Sequence, residues 1–125
     1  MKKKAPLFVL AKAKDLASYI IAVTEKSPKK FRFTLVNRLQ NYALDAIECI
    51  IKGNQAKETE ERARHMSEAK TSLQMLDAFS LISYENGCIL FAQYENIAKL
   101  LAETSMYLRK WRESVDKMVL SGQPV

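Results

Sequence analysis

Apolar residues recur every three or four positions through four long stretches of this chain. That spacing leaves little choice but helices packed side by side. The first stretch predicts a helix over about residues 7–25, with Leu10, Ala13, Leu16, Ala17, Ile20, Ile21 and Thr24 on one face. Pro6 suits its first turn, and Ser27-Pro28 ends it, because proline disfavours α geometry in the residue before it. The second predicts a helix over 34–52, with Leu35, Leu39, Tyr42, Ala46 and Ile50 in one row and Asn37, Asn41, Asp45, Glu48 and Lys52 opposite. Thr34 is its expected N-cap and Gly53-Asn54 its expected stop. The third spans 58–83, opening on Glu58, Glu60 and Glu61, where acids complement the helix dipole. The fourth spans 91–118, with Ile97, Leu101, Thr104, Leu108, Trp111 and Val115 on one face.

Three glycines and three prolines in 125 residues argue against an all-β domain, against disorder and against a phosphate-cradling glycine loop. Short connections make successive helices antiparallel neighbours. The expected fold is therefore all-α: an up-down-up-down four-helix bundle, one domain over 1–125. On the third helix Met75, Phe79 and Ile82 widen the apolar face beyond what one core needs, which marks them as an expected oligomer interface. Cys49 and Cys88 are too few to staple a secreted domain, so reduced thiols and a cytoplasmic protein are expected. Lys2 to Lys4 followed by an apolar stretch imitates the start of a signal peptide, but Lys12, Lys14 and Asp15 interrupt it. No run approaches the length of a membrane span. Peripheral membrane binding through the first helix ranks last, since the core uses its apolar face.

Catalytic chemistry is poorly supplied. One histidine cannot build the Glu-x-x-His pairs of di-iron bundles, and two distant cysteines with His65 lack zinc-site spacing. A Cys49–His65 nucleophile pair is conceivable across two helices, but packing is the plainer use of Cys49. No enzyme activity, metal or cofactor is expected.

Charge is more informative. The net charge is +6. Residues 1–44 hold ten Lys/Arg and two acids; residues 45–125 hold ten Lys/Arg and twelve acids. The excess therefore lies in the first third. Lys26, Lys29, Lys30, Arg32 and Arg38 occur with no acid between Lys26 and Leu44, a candidate phosphate footprint. Phe31 and Phe33 interleave with them. Stacking on bases is one use for such aromatics; plugging the end of the bundle core is the commoner one and the one expected here.

The run from Ser27 to Asn41, with Ala43-Leu44 and the close at Lys52-Gly53-Asn54, resembles the second-helix block of a bacterial four-helix-bundle family. That family includes proteins encoded in 23S rRNA intervening sequences and the accessory variability determinant of diversity-generating retroelements. Pro28, Arg32, Phe33, Leu35 and Arg38 occupy matching places, and Leu108-x-x-Trp111 resembles the closing helix. The resemblance covers about residues 7–115. The intervening-sequence branch commonly carries Ser-Ile-Pro-x-Asn-Ile-Ala-Glu-Gly; here Asp45 to Gly53 lacks that proline, which looks closer to the retroelement branch. The resemblance implies a homo-pentamer that binds nucleic acid and a reverse transcriptase partner, with no catalysis of its own. The expected function is thus a non-enzymatic accessory protein of a mobile element binding DNA or RNA. A protein-only scaffold is the alternative.

Overall fold

In the computed structural model, which describes residues 4–122, four long helices carry most of the chain, and no strand occurs among the described residues. They are α1 (Lys4–Thr24), α2 (Asn37–Gln55), α3 (Thr59–Glu85) and α4 (Phe91–Leu120). Each packs against two neighbours, in the order α1–α2–α3–α4 and back to α1. Between α1 and α4, early residues of one helix meet later residues of the other. Phe8 stacks on Tyr107, Lys12 meets Glu103 at 3.0 Å, and Asn96 Nδ2 donates to the Tyr19 hydroxyl at 2.9 Å.

The periodic faces converge on one core. Val9, Ala13, Leu16 and Ile20 meet Leu39, Ala43, Ala46 and Ile50, with Met66, Ala69, Leu73 and Leu76 from α3 and Ile97, Leu101, Leu108 and Trp111 from α4. Three buried hydroxyls cost little, because each donates within its own helix: Thr104 to Leu100 O, Ser83 to Phe79 O and Ser80 to Asp77 O.

Two expected boundaries are corrected. Gly53 does not stop α2; it is helical and buried, and the helix runs to Gln55. A Cβ there would lie 3.3 Å from Trp111 Cη2 and 3.4 Å from His65 Cβ, so glycine serves close approach rather than a left-handed turn. Thr34 is not an N-cap. It lies in a π turn, Arg32–Val36, that leads into α2 behind a 3-10 turn, Lys29–Phe31. Gly87 does take the left-handed conformation, with φ of 80°, in the turn before α4. The last turn of α4, which continues to Leu120, carries Lys117, where a cation complements the helix dipole.

Candidate nucleic-acid interface

Between α1 and α2 the backbone is irregular, and its winding decides which side chains meet the core. In a regular helix Arg32 would fall in line with Leu35 and Leu39 and point inward. The π turn inserts one extra residue of winding. Phe31 takes that inward place instead, half-buried against the core, while Arg32, Phe33 and Thr34 are exposed. Phe33 is 85% exposed. The two phenylalanines thus have opposite fates: Phe31 plugs the core end as expected, and Phe33 does not.

Side-chain hydrogen bonds of Thr24 and Ser27 tie this segment to its neighbours. Thr24 Oγ1 donates to Ile20 O at 2.6 Å and accepts from Gln40 Nε2 at 3.0 Å, joining the end of α1 to α2. Ser27 Oγ donates to Cys88 O at 2.7 Å, joining the connection to the α3–α4 turn. These two connections therefore share one end of the molecule.

Lys26, Lys29, Lys30, Arg32 and Arg38 are all exposed, and none forms an ion pair among the described residues. The structure separates Arg38 from Lys29 and Arg32. Lys29 and Arg32 line a cleft of about 560 Å³ with Phe33, Glu25, Asn37 and Gln40. Arg38 lies on the side of α2 facing α3: its Nη1 donates to the Tyr42 hydroxyl at 3.1 Å, and its guanidinium sits 5.8 Å from the Phe79 ring centre. Lys30 lies over the Phe31 ring at 5.1 Å.

The three apolar residues expected to form an interface also diverge. Met75 and Ile82 are 37% and 39% exposed, whereas Phe79 is half-buried and stacks on Tyr42 with ring centres 5.6 Å apart. Leu44, Ile51 and Leu81 are equally exposed, so apolar surface is not confined to α3.

A second cationic place escaped the sequence reading. Lys70, Arg109 and Arg112 line a groove of about 540 Å³ between α3 and α4, over Met66, Leu73 and Leu108. Its cations come from segments with balancing acids, so charge counting along the chain hides them. Arg112 is committed there, donating to Asp116 Oδ1 at 3.3 Å and to Ala63 O at 3.4 Å.

The thiols are placed for packing. Burial raises the pKa of Cys49, and Glu68, Asp45 and Glu48 add to the effect; burial also raises that of Cys88. Both favour the thiol over the nucleophilic thiolate. His65 sits between Glu61 and Glu68, at 3.8 Å and 3.1 Å. No helix among the described residues is long and apolar enough to cross a membrane, and no group of three His, Cys, Asp or Glu side chains there could hold a metal.

No curated protein matches the chain. A family model described as "23S rRNA-intervening sequence protein" matches residues 6–110, from the first turn of α1 through most of α4. On that coverage the chain belongs to the 23S rRNA-intervening sequence protein family.

Proposed function

We propose that this protein is a non-enzymatic nucleic-acid-binding accessory protein, acting through the α1–α2 connection of an up-down-up-down antiparallel bundle. The observation carrying this reading is the set of Lys26, Lys29, Lys30 and Arg32: four exposed cations on one short connection, without an ion-pair partner among the described residues. Unneutralised surface cations attract phosphates and gain by releasing their counterions. Gln40 early in α2 meets Thr24 at the end of α1, Tyr42 early in α2 stacks on Phe79 late in α3, and Arg112 late in α4 reaches Ala63 early in α3, which supports the antiparallel arrangement. The family description supports a nucleic-acid setting. Its resemblance to retroelement accessory subunits makes a reverse transcriptase the finer choice of protein partner.

Self-association belongs to this reading, a pentamer by the resemblance. Met75 and Ile82, on one flank of α3, are apolar surface that another copy would cover. Repeating the cationic connection once per subunit would multiply a weak contact through effective concentration.

Fluorescence anisotropy with labelled RNA and DNA at low salt tests the reading. Binding is expected for both, with little sequence preference, and light scattering should report several times 14.3 kDa. Failure to bind either nucleic acid would leave the protein-only scaffold in its place.

A further inference from the structure

We infer that Phe33 and the cleft beside it hold an unpaired nucleobase, so that this end of the bundle selects single-stranded over duplex nucleic acid. The inference deepens the proposed function and rests on it.

Phe33 stands 85% exposed on the π turn, with a cleft of about 560 Å³ at its flank. An aromatic ring left in water offers a face on which any base can stack. Its surroundings distinguish this from an apolar protein contact. The cleft lining is mostly polar: Glu25, Lys29, Arg32, Asn37 and Gln40 beside Pro28 and Val36. A protein hot spot would instead set its anchor in a well-packed surround that excludes water.

The polar groups are also partly uncommitted. Gln40 Nε2 donates to Thr24 Oγ1, which leaves its Oε1 as an acceptor. Asn37 Oδ1 accepts from Asn41 Nδ2 at 3.0 Å, which leaves the Asn37 amide nitrogen as a donor. A base edge presents both complements. Glu25 repels phosphate from its part of the cleft. The strand's phosphates then run over Lys29, Lys30 and Arg32 while a base enters beside Phe33. In a duplex the bases stay stacked and paired, out of reach of a ring on a protein surface.

The experiment compares the full chain with Phe33→Ala, Phe33→Leu and Phe33→Trp. Each is titrated against a labelled RNA strand of about ten nucleotides, the same strand as a duplex, and a strand of equal charge whose bases are abasic. Phe33→Ala should lose about tenfold on the intact strand, within the range of single-base stacking, and keep the parent's duplex affinity and salt slope. Phe33→Leu should lose most of that factor and Phe33→Trp none. The parent should bind the abasic strand as weakly as Phe33→Ala binds the intact one. The ring is exposed, so helicity and melting midpoint should not change in any variant.

Unchanged single-strand affinity in Phe33→Ala, with a loss on replacing Lys29, Lys30 and Arg32 by Gln, overturns this inference alone and leaves the proposed function standing. Equal losses on strand and duplex overturn it as well. A fall in oligomer mass in Phe33→Ala overturns it in favour of a contact between copies. Absence of all binding by the parent removes it together with the proposed function.

Discussion

The α1–α2 and α2–α3 connections use the same residue types to opposite ends. At α2–α3 two of the cations, Lys52 and Arg62, are engaged by the structure. Arg62 donates to Ala56 O at 2.7 Å and to Asn54 O at 3.4 Å, satisfying carbonyls at the end of α2, and burial lowers the pKa of its guanidinium. Lys52 pairs with Glu48 at 2.8 Å, Gly53 lies under Trp111, and His65 is flanked by two glutamates. At α1–α2 the chain has a comparable density of cations but no ion-pair partner for them among the described residues, and its aromatic Phe33 faces water where Trp111 is buried. What sets the α1–α2 connection apart is that Lys26, Lys29, Lys30 and Arg32 stand together on one short segment without an ion-pair partner among the described residues.

Substitution can break this contrast at several depths. Trp111 is 2% exposed. Trp111→Ala should cost about 3–5 kcal/mol in urea denaturation, through lost burial and the cavity left over Gly53. Phe33→Ala should stay within about 0.5 kcal/mol. A large cost at Phe33 would mean the ring packs after all.

The two arginines give a smaller contrast of the same kind. Arg62→Ala leaves the Ala56 carbonyl without its partner and should cost about 1–3 kcal/mol. Arg32→Ala should cost less than about 0.5 kcal/mol. Equal costs would erase the distinction between structural and free cations.

Gly53→Ala sets helix propensity against space. Alanine favours the helix by about 1 kcal/mol. Yet its methyl would press on the buried Trp111 ring and the His65 Cβ, and overpacking costs about 1–3 kcal/mol. A net loss of about 1 kcal/mol is expected, and a net gain would show that Trp111 yields.

The smallest effect concerns pH. Burial raises the pKa of the Cys88 thiol above that of the unfolded chain, near 8.5. The folded state then holds the proton longer. The thiol's contribution is complete below the unfolded value and fades as pH rises through the folded one. Urea midpoints measured at pH 8 and pH 10 should fall further for the parent than for Cys88→Ala. An equal fall would place the titration elsewhere.

Much of this architecture can be read along the chain. Rows such as Leu39, Ala43, Ala46 and Ile50 mark a helix face because only helical winding brings them together. The failures are places where tertiary contact or local winding overrides a short-range signal. Gly53 reads as a stop because glycine usually ends helices, and nothing near it announces that Trp111, far along the chain, needs the space. Phe31 and Phe33 look equivalent because period alone does not distinguish an α turn from a π turn, and that difference decides which ring is buried. The cations of the connection are visible as a run. Their lack of partners is not, since an acid could have arrived from any other helix, as Glu103 does at Lys12.

The central claim is that the unpaired connection contacts phosphate, and the dependence of affinity on salt tests it most directly. Log affinity for a single strand is measured against log salt for three proteins. These are the parent, a variant with Lys29, Lys30 and Arg32 replaced by Gln, and one with Lys52, Lys57 and Lys117 replaced by Gln. The variants lose equal charge. If the three cations of the connection each neutralise one phosphate, the first variant's slope should be shallower by about 2, at about 0.7 per phosphate, while the second keeps the parent's slope. Equal flattening in both variants, or in neither, would contradict the claim: the connection would then be no more than one part of a net positive surface.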